Sequence, residues 1–191
     1  VLNILTLFLS ILLFTSCSET PKNYVTLSGK ISNPNDLKTL TISDREGYKK
    51  EIKLNDDGTF NDTLNIKEGV YQFYDGNEYG RIYLKNNNSI SFTLDTVAFD
   101  ETLVFEGDDA DQSNFIIANS QLQEKYLTDD LFSGTEAEFS TTFENLKAAY
   151  NSLKGDYKKL DAAYFLDEDK NFEAMKKSYT NYFMEKLEMK K

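Results

Sequence analysis

Residues 69–94 read GVYQFYDGNEYGRIYLKNNNSISFTL, and the spacing of apolar side chains in this stretch decides the fold class. Val70-Tyr71-Gln72-Phe73-Tyr74 follows a Glu68-Gly69 turn, Asp75-Gly76-Asn77 turns the chain toward Ile82-Tyr83-Leu84, and Asn86-Asn87-Asn88 separates that run from Ile90, Phe92 and Leu94. Apolar residues recurring at every second position between clusters of Gly, Asn and Asp are the signature of short, half-buried strands.

The same period extends in both directions. Upstream, Val25, Leu27, Gly29 and Ile31 alternate with polar neighbours, Asn33-Pro34-Asn35-Asp36 forms a turn, and Leu40 and Ile42 mark a second strand. Ile52 and Leu54 lead through Asn55-Asp56-Asp57-Gly58 to Phe60, Leu64 and Ile66, and Asp-Gly between alternating runs predicts a hairpin. Downstream, Leu103-Val104-Phe105 closes the series. About eight short strands at regular spacing predict an antiparallel β-sandwich or barrel over residues 24–107.

Beyond residue 107 the period becomes helical. Asp109-Ala110-Asp111-Gln112 has the form of a capping box, followed by Phe115, Asn119, Leu122 and Tyr126. A loop over Thr128–Gly134 leads to a second box at Thr135-Glu136-Ala137-Glu138. Phe139, Phe143, Leu146, Tyr150, Leu153, Tyr157, Leu160 and Tyr164 then alternate at spacings of four and three, a continuous aromatic-rich seam that Gly155 weakens. Leu166-Asp167-Glu168-Asp169 breaks the pattern, and Asp167 or Asp169 would cap a last helix carrying Phe172, Met175, Tyr179, Tyr182 and Leu187. The expected architecture is β followed by α, with two or three antiparallel helices over residues 108–191.

The beginning of the chain is of another kind. Val1–Phe14, VLNILTLFLSILLF, is almost wholly apolar and stops at Thr15-Ser16-Cys17. A membrane-spanning helix needs about 20 apolar residues, so the run suits the apolar region of a signal peptide, with a few residues expected before Val1. Its end resembles a bacterial lipobox, Phe14-Thr15-Ser16 before Cys17. That resemblance implies a signal peptide over residues 1–16, cleavage before Cys17, acylation of Cys17, and a polar tether over residues 17–23. Phe14 stands where the pattern usually has Leu. A lone buried Cys after an ordinary signal peptide is the alternative.

Composition excludes much chemistry. The 191 residues contain no His and no Trp, carry a net charge of −11, and hold one Cys. Without His there is no Ser-His-Asp or Cys-His arrangement and no imidazole metal site. One Cys allows no internal disulfide and no Cys-x-x-Cys pair. The acidic balance argues against nucleic acid as a partner. No cofactor and no metal are expected: the acidic run around Asp108-Asp109-Ala110-Asp111 lacks the spacing of a calcium loop. Carboxylate-only catalysis is formally open, but no pair among the 32 acids stands out.

The stretch from Tyr24 to about Tyr126 resembles the N-terminal domain of unknown function of Bacteroidetes lipoproteins that carry a C-terminal thioredoxin-like, TlpA-type domain. The residues carrying the resemblance are Leu27-Ser28-Gly29-Lys30-Ile31, Asp57-Gly58-Thr59-Phe60, Gly69-Val70-Tyr71-Gln72-Phe73, Ile82-Tyr83-Leu84 with Asn88-Ser89-Ile90-Ser91-Phe92, and Leu103-Val104-Phe105-Glu106-Gly107. It implies that residues 1–191 are the anchor, β module and helical connector of a lipid-anchored thiol-disulfide oxidoreductase of the cell envelope, facing the periplasm from the outer or inner membrane, and that a thioredoxin-like domain follows. Its partners would be the membrane and proteins of an envelope redox system. No catalytic residue is carried over. The alternative is a stand-alone envelope lipoprotein that binds a protein or glycan through its sheet, for which Tyr71, Tyr74, Tyr79 and Tyr83 are the candidate contacts. Asp62-Thr63-Leu64 and Asp95-Thr96-Val97 also match a short O-glycosylation pattern of that phylum.

Overall fold

The computed structural model describes residues 21–189. The lipobox residues Phe14, Thr15 and Ser16, the acylation candidate Cys17 and the first tether residues lie outside them. Among the described residues, eight strands form two four-stranded sheets: β1 (Val25–Ser32), β2 (Thr39–Ser43), β3 (Lys49–Lys53), β4 (Thr59–Leu64), β5 (Gly69–Tyr74), β6 (Tyr79–Leu84), β7 (Ser89–Asp95) and β8 (Val104–Gly107). One sheet has the order β4-β1-β7-β8 and the other β3-β2-β5-β6. Inward-facing residues of both sheets share one core in which Phe92 of the first sheet stacks on Phe73 of the second, ring centres 4.9 Å apart. The predicted β-sandwich is present, with all pairs antiparallel except β1 with β7, which run parallel.

The alternation located the strands but misplaced one pairing. Asp57-Gly58 does not close a β3–β4 hairpin, because β3 pairs with β2 and β4 with β1, in different sheets. The turn itself forms: Gly58 N donates to Asn55 O, and the Asp57 carboxylate accepts from the Thr59 amide and hydroxyl. Gly58 then docks on β1, accepting a 2.9 Å hydrogen bond from Ile31 N. Its φ of +80° and a virtual Cβ 2.0 Å from Ile31 O leave room only for glycine. The chain thus crosses between sheets here, and Lys50 straps the two edge strands by an ion pair to Asp62 at 2.8 Å.

The opposite side of the sandwich, between edge strands β6 and β8, is closed by a helix. A short α1 (Phe99–Thr102), which the sequence reading did not foresee, sits between β7 and β8, and α2 (Ala110–Tyr126) follows. The Ser113 hydroxyl, fully buried, accepts from Tyr83 N of β6 at 3.0 Å. Asn114 accepts from Phe105 N at 3.0 Å and donates to Phe105 O at 2.9 Å, as a neighbouring strand would. Two adjacent side chains of one helix therefore bond one residue on the free edge of each sheet, Tyr83 and Phe105.

The expected Asp109 capping box is absent. Asp109 sits at φ 54° and makes no side-chain cap bond; its carboxylate instead accepts from Asn88 Nδ2 at 2.7 Å, while Asp108 accepts from Ser89 N. Both acids pin the start of α2 to the β6–β7 turn. The second box forms as expected: Thr135 and Glu138 exchange both bonds at the start of α3 (Glu136–Asp156).

The aromatic seam is not one helix. α3 ends at Asp156, and α4 (Ala162–Met189) begins after a tight turn in which Leu160 N donates to Tyr157 O. Asp161 caps α4 through Ala163 N, and the Leu166–Asp169 stretch expected to break the pattern lies inside this helix. α3 and α4 pack antiparallel, with Phe139 stacked on Phe183 at 4.3 Å and Tyr150 on Phe172 at 5.0 Å. Phe115 of α2 enters this second core edge-on to Tyr150, Tyr157 and Tyr164. Helix α2 is hence apolar on two faces: Ala110 and Ile117 meet the sandwich, Phe115 and Leu122 the helices. No helix of the described residues is long and apolar enough to cross a membrane.

Candidate functional site

Alternation along β5 and β6 sorts the candidate tyrosines onto two faces. Tyr71, with Phe73, points into the core and is 4% exposed. Its hydroxyl donates to Lys67 O at 2.9 Å, and burial raises its pKa above the ordinary phenol value. Tyr71 is therefore a core residue and does not belong to an outward binding face.

Tyr74, Tyr79 and Tyr83 do share the outer face of the β3-β2-β5-β6 sheet. Register places Tyr74 opposite Tyr79, Gln72 opposite Arg81, and Val70 opposite Tyr83. The rings of Tyr74 and Tyr79 stack at 4.2 Å with 22° between planes. Tyr74 is anchored by its hydroxyl to Gly76 O at 2.7 Å, whereas Tyr79 is 60% exposed. Tyr83 is fixed at both ends, its amide on Ser113 and its hydroxyl on the Glu68 carboxylate. Burial, and then that carboxylate, push its phenol well above the usual value. Of the four candidates, Tyr79 alone combines an exposed ring with a supporting partner.

One end of the sandwich gathers the 44–47, 65–68 and 85–88 turns, because β2 ends beside the start of β5, and β5 starts beside the end of β6. The chain enters at this end: Lys22 N donates to Asn87 Oδ1 at 3.1 Å and Asn87 N to Tyr24 O at 2.9 Å. Here the outer sheet face dips into a concavity of about 590 Å³ lined by Ser43, Arg45, Lys67, Gln72 and Arg81, among others. This feature was invisible to a reading that counted charges by sign. The available signal was that Arg45 and Arg81 are the only arginines of the sequence.

Among the described residues, no three acidic or sulfur side chains are grouped as metal ligands would be. Thr63 of the first glycosylation match is exposed on edge strand β4, and Thr96 of the second donates its hydroxyl to Asn33 O.

No family model matches the chain, and no curated protein matches it significantly. Among solved structures, a putative cell adhesion protein from Bacteroides ovatus is similar at 8% identity, with a TM-score of 0.30. The match covers 47% of this chain and 44% of that one, so the chain spans less than half the length of this neighbour.

Proposed function

We propose that this chain is the non-catalytic, lipid-anchored front of a cell-envelope protein, held to a membrane through Cys17. On the resemblance set out above, that protein is a thioredoxin-like thiol-disulfide oxidoreductase, and the β-sandwich with its helical connector spaces the redox domain from the membrane. The observation that carries the reading is the apolar run ending at Thr15-Ser16-Cys17, only five residues before the chain docks on the sandwich at Lys22. Five extended residues reach at most about 18 Å. A lipid on Cys17 would therefore hold the turn end of the sandwich close to the headgroups, and two or more acyl chains would make the attachment stable. The test has two parts. Cells producing the chain are fed a labelled fatty acid; label should appear in the wild type and vanish in Cys17→Ala, and equal labelling of both would overturn the anchor. The reading frame after the Lys191 codon should continue into a domain with Cys-x-x-Cys; an immediate stop would overturn the redox part.

The exposed Tyr79 ring, backed by Tyr74, favours a second reading: an envelope lipoprotein that binds a protein or glycan by stacking on this sheet face. Tyr79→Ser should then abolish binding on a glycan array or to an envelope extract without lowering thermal stability.

A further inference from the structure

The concavity at the turn end of the sandwich differs from the rest of the surface in its cations. The chain has 21 basic side chains, and all but Arg45 and Arg81 are lysines. Both arginines line this one hollow, Arg45 from the β2–β3 turn and Arg81 from the outer face of β6. Both are exposed, and neither makes an ion pair or hydrogen bond among the described residues.

The acids around them are already engaged. Asp44 accepts from the backbone amides of Glu46 and Tyr48, each at 2.8 Å. Glu46 holds Lys67 at 2.8 Å, and Glu68 holds the Tyr83 hydroxyl with Lys85 at 3.8 Å. In a chain of net charge −11, neither guanidinium is within ion-pair distance of a carboxylate, although Asp44, Glu46 and Glu68 line the same hollow, where they face other donors, and Arg81 also borders a neighbouring hollow that includes Glu168. A lysine solvates a surface equally well; a guanidinium adds a planar fork of donors that matches an oxyanion in two parallel hydrogen bonds. Ser43 and Gln72 supply a neutral hydroxyl and amide between the two arginines for the remainder of a ligand. The volume falls in the range of small-molecule sites.

We propose that this concavity binds a small oxyanion-bearing polar ligand, its phosphate or carboxylate clamped between Arg45 and Arg81. This goes beyond the anchoring role and does not depend on it. The two possible sources of the oxyanion are separated by choice of probe. The full chain in micelles of neutral detergent is titrated calorimetrically with glucose 6-phosphate, glucuronate and glucose at low ionic strength. Saturable binding of one or both anions, and none of glucose, is expected, and the preferred anion identifies the chemistry. Arg45→Gln and Arg81→Gln should each weaken binding about tenfold or more; Arg→Lys at either position should restore only part of it. Lys49→Gln, an exposed cation outside the hollow, should leave binding unchanged. Because both arginines are exposed, the variants should unfold at the wild-type temperature. The proposal is overturned if neither anion binds at millimolar concentration, or if the Gln variants bind as the wild type does.

Discussion

Replacing Asn114 by Ala tests how the sandwich is closed. The amide side chain makes two hydrogen bonds to one residue of edge strand β8, at 3.0 Å to Phe105 N and 2.9 Å from Phe105 O. Phe105 is 2% exposed and lies under α2, so water has poor access to the groups released. A partly buried donor or acceptor left without a partner costs about 1–3 kcal/mol. With two groups affected and some rehydration at the helix edge, the expected loss is about 2–4 kcal/mol. For a domain of this size that lowers the melting temperature by about 5–12 °C. The assay is urea unfolding followed by far-ultraviolet circular dichroism, with the denaturant slope compared between variants. Asn114→Asp keeps the acceptor for Phe105 N but sets a carboxylate against Phe105 O, so it should be destabilised as well. Ser113→Ala, which frees Tyr83 N on the other sheet, should lose about 1–2 kcal/mol. A loss below about 0.5 kcal/mol for Asn114→Ala would refute the claim that α2 supplies the missing strand partner for β8.

Three further outcomes follow from the packing and the charges. Phe73→Ala removes a fully buried ring that stacks on both Phe92 and Phe99, and should cost about 3–5 kcal/mol in the same unfolding assay. Gly58→Ala places a methyl against Ile31 O at a positive φ, and should cost more than about 2 kcal/mol, seen as a lowered urea midpoint. Thr135→Ala should lose about 1 kcal/mol by removing the α3 capping box. The Thr135 amide and hydroxyl donate to Glu138 and hold its carboxyl below the usual range. A lowered folded-state pKa means the contribution is present above the ordinary glutamate pKa and lost as pH falls through the folded value. Thr135→Ala removes the hydroxyl donor but keeps the amide donor, so the difference between wild type and variant should be largest at neutral pH and shrink only in part in acid; a difference that grows in acid would contradict it.

Strands and helices were legible because burial imposes a period on side chains, and the period survives in sequence. Strands β1, β2, β5, β6 and β7 carry inward apolar residues at alternate positions, Leu27 as much as Phe92 and Leu94, whereas β3 and β8 bury one each, Ile52 and Phe105. What the period does not encode is the partner. Asp57-Gly58 fixes a local reversal, but whether β4 joins β3 or crosses to β1 depends on contacts some 30 residues away, such as Ile31 with Gly58. The parallel β1–β7 pair was hidden for the same reason. The α3–α4 boundary failed differently: the turn at Tyr157–Leu160 keeps Tyr157 and Leu160 on the helical core, so the four-and-three spacing runs through a break in the backbone. At the candidate site, alternation separates core Tyr71 from outward Tyr74 and Tyr79, whereas the joining of Arg45 and Arg81 in one hollow depends on β2–β5–β6 pairing and could only be seen in the folded chain.

The claim that this is a membrane-anchored module stands or falls on the start of the mature chain. Mass spectrometry of the protein isolated from envelope membranes after proteolysis reads it directly. The anchor reading predicts an N-terminal peptide beginning at Cys17 and carrying a diacylglyceryl group on sulfur. A mature chain that begins elsewhere, or one with an unmodified Cys17 thiol, would contradict it.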